Sequence, residues 1–236
     1  AATPLGTGAA LISWSGSMFE YLMPALVMRA PVGSQLEQTS RLIVDAQIRY
    51  GHALGIPWGI SESAYNARDM EFTYQYSNFG IPQLALKRGL AEDKVVAPYA
   101  TGLAAMINPG AALTNFQRLA AMGGRGRYGF YEALDFTPSR LPDSQQVAIV
   151  QSFMAHHQGM GFIALTNFFF GNIMQARFHS DARVRTVEPL LQERIPALPP
   201  LHHISTRERV SSVASFGEVA PSVSEFDTPH TATPRT

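Results

Sequence analysis

SQLEQTSRLIVDAQIRYGHAL, residues 34–54, places Leu36, Thr39, Ile43, Ala46, Tyr50 and Ala53 at steps of three and four. That spacing returns to one side of a 3.6-residue turn, so the segment predicts an amphipathic helix with a stripe turned to a core. Ser34 is placed to cap it, and Glu37 stands three residues on, the spacing of a capping box. Working outward, helices are predicted over 18–28, 94–106 (stopped before Pro109), 111–122 (stopped by Gly123-Gly124), 145–170 with a break at Gly159 or Gly161, and 187–195. No run of alternating apolar and polar residues is long enough to seed a sheet. The fold class expected from the pattern is all-α.

The chain has 236 residues, 46% hydrophobic and 15% charged, enough to bury one core with at most a small appendage. Lys+Arg and Asp+Glu balance at 18 each, so no basic field draws nucleic acid or acidic lipid, and a neutral ligand fits better. With Cys 0 there is no disulfide scaffold, thiolate metal site or cysteine nucleophile. The opening AATPLGTG has neither an initiator Met nor a secretion signal and is expected to be a cut end. The longest apolar stretch, MGFIALTNFFF at 160–170, is well short of the roughly 20 residues that span a bilayer, so a soluble chain without membrane insertion is expected. From His202 onward Ser, Thr and Pro dominate without helical periodicity. The division expected is a folded unit over 1–200 and an extended linker over 201–236.

Between the predicted helices lie loops rich in aromatic, amide and acidic residues, at 13–21, 57–80 and 123–140. Loops on a rigid scaffold favour ligand contacts. Glu62 follows Trp58-Gly59-Ile60-Ser61, and Glu132 follows Tyr128-Gly129-Phe130-Tyr131. Glycosidic cleavage needs one carboxyl group to supply the leaving-group proton. A second carboxylate must stabilise positive character at the sugar carbon, attack it, or activate water. The two glutamates can divide that work; each can equally be a solvated loop acid or a helix cap.

Asp69, Asp135 and Glu20 are supporting acids, able to hold an Arg, orient a water or bind sugar hydroxyls, or else to make local turn and cap bonds. Trp58, Tyr65, Tyr76 and Tyr128 belong to an aromatic set that either floors a sugar groove or fills the core, with glycine beside Trp58 and Tyr128 favouring the groove for those two. His156-His157-Gln158 lies in a predicted helix. Adjacent histidines do not share a face, so the doublet lacks the spacing that grips zinc; one of the pair, with Gln158, can bond a ligand or fix a carboxylate, or be a satisfied core histidine. GGRGR at 123–127 lacks the Gly-Lys-Ser/Thr ending of a phosphate loop, which leaves Arg127 free to pair with an active-site acid.

SWSGSMFEYLMP (13–24), PWGISESAYNARD (57–69), YQYSNFGIPQLALKRGL (74–90), VVAPYATGLA (95–104), YGFYEALDFTPSR (128–140) and FMAHHQGMGFIALTN (153–167) together resemble the glycoamylase-like domain of bacterial cyclic β-1,2-glucan synthases, a family related to endo-β-1,2-glucanases. The resemblance runs from about residue 11 to 200. It implies an α/α toroid of nominally six hairpins, of which this chain would be a C-terminal portion, since it supplies fewer helices than closure needs. It implies Glu62 as catalytic acid/base and Glu132 as nucleophile or its counterpart, acting without cofactor or metal on a β-1,2-glucan chain by hydrolysis or ring closure. DTPHTATPRT at the end resembles a junction toward a phosphorylase-like domain. The implied partners are the glucan and the neighbouring glycosyltransferase and phosphorylase-like domains. The implied location of the full-length protein is the cytoplasmic side of the inner membrane, with any membrane contact made by other segments. A glucan-binding or scaffold module is the competing class.

Overall fold

The computed structural model describes residues 2–6 and 8–194. The chain opens with a hairpin, β1 (Ala2–Leu5) and β2 (Gly8–Leu11), followed by α1 (Met18–Leu22) and the long α2 (Gln35–Leu54). Ser34 Oγ accepts from the Glu37 amide at 3.2 Å, as its spacing predicts, but the Glu37 carboxylate reaches the Gly33 amide, so only half of the box forms. The full capping box is at α1, where Ser17 and Glu20 exchange bonds. The buried stripe of α2 is Thr39, Ile43, Val44, Ala46, Gln47 and Gly51, rotated from the expected one by Gln47 and Gly51, which turn inward to meet the loop after the helix.

Beyond α2 the structure departs from an all-α fold. The hairpin β3 (Ser63–Arg68) and β4 (Tyr74–Ser77) leads to β5 (Val95–Val96), α3 (Pro98–Ala104) and α4 (Pro109–Ala121). Then come β6 (Arg125–Gly126), β7 (Gly129–Phe130), β8 (Ala133–Asp135), β9 (Ala148–Val150) and the helices α5 (Ala155–Phe169), α6 (Ile173–Phe178) and α7 (Ala182–Val187). The strands form four small open sheets, three of them two-stranded and one ordered β5-β8-β9. The expected all-α toroid is therefore incorrect: the described chain is mixed α/β. Strands of two to six residues carry too few side chains to show a period of two, which is why the alternation test passed over them.

The same cause explains the misplaced helix limits. Residues 94–97 and 145–154 hold β5 and β9, so α3 and α5 start later than expected. α3 ends at Ala104, before Pro109 as expected, and Pro109 itself opens α4 at its first position, where its missing N–H costs nothing, with the Asn108 side chain capping the Ala111 amide at 3.1 Å. Gly161 does not break α5; it lies where α5 crosses α3, with the Gly161 Cα only 3.3 Å from the place a Cβ on Gly102 would take. The helix expected over 187–195 is a short 3-10 turn, Glu188–Gln192, within the described part. The linker expected over 201–236 lies outside the described residues.

Two hydrophobic clusters result. One gathers α1, α2, α3 and α5 around Met18, Leu22, Ile43, Leu103 and Ala164; the other surrounds the three-stranded sheet through Val95, Val96, Leu134 and Val150. Among the described residues no helix is long and apolar enough to cross a membrane.

The aromatic loop at 13–16 is locked to the strand-end loop at 79–85. Ser13 N donates to Leu84 O at 3.1 Å, and Ile81 N to Gly16 O at 3.2 Å. The backbones touch so closely that a Cβ on Gly80 would lie 1.9 Å from the Ser15 carbonyl oxygen. Gly80→Ala is expected to lower stability by at least ~1–3 kcal/mol, the usual cost of overpacking. Urea unfolding read by tryptophan fluorescence, compared with Gly33→Ala at an uncrowded but positive-φ turn, checks it.

Candidate active site

Two buried amides shape the loop that carries Glu62. Gln47 on α2 donates to the Ile60 carbonyl at 2.8 Å and accepts from the Ile60 amide at 2.9 Å. Asn115 on α4 does the same for Trp58, accepting at 3.2 Å and donating at 2.9 Å, with a further bond to Thr101 at 2.8 Å. Each amide stands in for a neighbouring strand at its own residue, so a loop that meets β5 only through an isolated Ile60–Val96 bridge still has its polar groups satisfied. Tyr99 on α3 then donates to the Glu62 carbonyl and shares a bond with Ser61 Oγ, both at 2.8 Å.

Beside this loop the side chains of Glu62, Tyr76 on β4, Glu132 at the entry to β8 and His157 on α5 converge. The β3–β4 register sets Ala64 opposite Tyr76, which carries the Tyr76 ring back toward Glu62. The Tyr76 hydroxyl donates to Glu62 Oε1 at 2.7 Å and lies 3.4 Å from His157 Nε2. His157 Nδ1 sits 2.7 Å from Glu132 Oε1, which also accepts from the Ala64 amide at 3.2 Å. His157 and Glu132 are fully enclosed, both side chains 0% exposed, whereas Glu62 is half-buried and Tyr76 is 41% exposed. Tyr99 stacks on the imidazole at 3.8 Å and 13°, and the Tyr76 ring lies near it at 5.9 Å and 27°.

The phenols are held in their protonated, donating form. Burial raises the Tyr76 hydroxyl far above its ordinary value, helped by its bond to Glu62 and by the negative charges of Glu62 and Glu132. Burial likewise raises Tyr99, against a smaller opposing effect of its bond with Ser61. His156, exposed beside the cluster, is pushed down from the usual imidazole range by partial desolvation and then by the charge of His157.

The remaining expected site residues separate. Trp58 is in the core, 6% exposed, so its ring is not presented to a sugar; its neighbouring glycine, Gly59, serves the backbone, which takes a φ of 112° there. Asp135 is fully buried and paired with Arg140 at 2.7 Å, also accepting from the Asn66 and Thr137 amides at 3.0 Å each. Arg140 lies over the Tyr65 ring at 4.9 Å, which places Tyr65 in the same structural assembly. Asp69 caps its own hairpin turn through the Glu71 and Thr73 amides, and Glu20 is engaged by Ser13, Ser15 and Ser17. Arg127 sits over the Tyr128 ring at 5.3 Å, and Tyr128 is 76% exposed. Gln158 bonds the Phe130 carbonyl at 3.3 Å and, with His157, Tyr99, Phe116, Phe130 and Phe162, lines an apolar cavity of about 270 Å³ beside the cluster. Tyr99, Gln47 and Asn115 were missed by sequence reasoning, because a tyrosine or amide among apolar residues reads as core until its partners are known.

A family profile described as "Putative glucoamylase" matches residues 3–182. The chain belongs to this glycoamylase family. A cyclic β-(1,2)-glucan synthase, NdvB, of Rhizobium meliloti is 52% identical over 193 residues, covering 82% of this chain and 7% of that protein. A Bacteroides caccae crystal structure described in the same words as the family shares the fold with TM-score 0.56 at 19% identity, over 81% of this chain and 46% of that one. An endo-β-1,2-glucanase from Chitinophaga pinensis, in complex with sophorotriose and glucose, gives TM-score 0.56 at 15% identity over the same shares. The chain thus spans 7% of its curated relative and less than half of these structural neighbours. The glycoamylase family relation supports a sugar-acting role, catalytic or binding.

Asp135→Ala is expected to cost about 3–5 kcal/mol, as removal of one partner from a buried ion pair does. A thermal melt of the variant checks it, and a second variant lacking both charges, Asp135→Asn with Arg140→Met, should recover part of the loss.

Proposed function

We propose that Glu62 and Glu132 are the carboxyl pair of a β-1,2-glucan-processing site, breaking the glycosidic bond and passing the sugar to water or to a hydroxyl of the same chain. The observation that carries this reading is the side-chain connection of two glutamates 70 positions apart through Tyr76 and His157. Glu62, which reaches solvent, is the group to give the leaving oxygen its proton. Glu132 supplies the second negative charge. As the site stands it does so from behind His157 and Tyr76, stabilising positive character at the sugar carbon through space rather than by contact. The apolar cavity beside Tyr99 and the half-exposed Tyr76 ring offer flat surfaces for the C–H faces of glucose. The larger protein would bring glycosyltransferase and phosphorylase-like domains alongside.

The enclosure of Glu132 favours a second reading, a glucan-binding module without turnover. Charge-neutral variants separate the two. Glu62→Gln and Glu132→Gln in the full protein are each expected to lower kcat on linear β-1,2-glucan by about 10²–10⁴-fold, the range of acid–base catalysis, with glucan affinity held within a few-fold. Unchanged turnover in both variants would assign the chain to binding alone.

A further inference from the structure

His157 sits between Glu132 and Tyr76 with its side chain closed to solvent. Its ring is enclosed, clamped by Tyr99 and flanked by Tyr76, Phe19 and His156, so its two nitrogens have fixed directions. One faces Glu132, whose Oε1 has the Ala64 amide as its other donor and whose Oε2 is buried without a donor among the described residues. The other faces Tyr76, whose hydroxyl already donates to Glu62. An enclosed carboxylate with so few donors is stabilised by a cation beside it, and His157 is the group in position to carry one.

Given the assignment of Glu62 as proton donor, we propose that His157 and Tyr76 are positioning residues that load Glu62 with its proton from inside the protein. With the Tyr76 hydroxyl donating to Glu62, His157 Nε2 can bond the same oxygen only as a donor, and in the proposed relay Nδ1 donates as well, to the Glu132 carboxylate, so that the ring starts with both protons. Transfer then moves two hydrogens in one direction. The Nε2–H bond breaks as a new Oη–H bond forms on Tyr76, while the original Oη–H bond breaks as an Oε1–H bond forms on Glu62. Each atom that loses a proton keeps the electron pair. The result is a carboxylic acid at Glu62, a neutral His157 still donating from Nδ1 to Glu132, and the same total charge. Delivery of the Glu62 proton to the leaving oxygen makes Glu62 a carboxylate again, able to take the proton of the incoming water or sugar hydroxyl. That proton returns along the same path to Nε2. The 3.4 Å gap between Tyr76 and His157 is the step that must tighten by a few tenths of an ångström.

Tyr76→Phe removes one oxygen from a half-exposed ring and tests the relay without emptying the core. In the full protein it is expected to lower kcat on linear β-1,2-glucan by about 10–100-fold, the lower end of acid–base effects, with KM within twofold. On 4-nitrophenyl β-sophoroside, whose leaving group needs no proton, the fall should be less than about threefold. His157→Gln, with its folding checked by thermal melt, should show the same split. Equal losses on both substrates would reduce the two residues to a structural role and overturn the relay. So would unchanged kcat in Tyr76→Phe alongside an inactive Glu62→Gln. Full activity in Glu62→Gln would instead overturn the acid assignment, and the relay with it.

Discussion

An acid and an imidazole, Glu132 and His157, meet at 2.7 Å with no solvent on either. Enclosing them is unfavourable unless each satisfies the other, and the surroundings are arranged to keep them together. Glu132 stands at the entry to β8, where its amide donates to the Ser152 carbonyl, so the central strand of the three-stranded sheet determines where the carboxyl goes. His157 stands in the first turn of α5, held by the packing of that helix on α3 and by the face of Tyr99. The sheet and the helix pair therefore meet at this contact, and displacement of either would strand a buried polar group.

Glu62 reaches the same place by another device. Its loop bonds no neighbouring strand at Trp58, and an isolated pairing with β5 begins only at Ile60. Gln47 and Asn115 take the place of the missing strand, each offering one donor and one acceptor to a single backbone residue. An amide side chain suits this because it copies the peptide group it replaces. The outcome is a loop as fixed as a strand, from which one carboxylate emerges half into solvent while the other stays enclosed.

How much of this was legible in sequence varied with the length of pattern each feature supplied. The 20-residue α2 repeated its stripe often enough to be read, and Ser34 marked its start. Strands of two and three residues offered no repeat, so the sheet that carries Glu132 was invisible and an all-α fold was expected in its place. Among candidate residues, Glu62, Glu132 and Tyr76 stand out as acids and a phenol in aromatic loops and His157 as an imidazole in a helix, residue types that suit sugar chemistry, and the fold brings those four together. Asp135 and Trp58 drew notice on the same grounds. Their partners, Arg140 and Asn115, lie five and 57 residues away and show instead a buried ion pair and a core ring.

The sequence by itself determined the long helix, the loops that hold the reactive residue types, and a family resemblance carried by ordered segments along the chain. These are properties of local spacing or of letters in order. Only the tertiary structure decided which acid faces solvent and which is enclosed, that a tyrosine and a histidine join them, and that Asp135, Trp58, Asp69 and Glu20 are engaged by the scaffold instead. Exposure and hydrogen-bond pairing depend on what distant segments cover, and contacts such as Tyr76 with His157, 81 positions apart, exist only once the hairpin and helix α5 have packed.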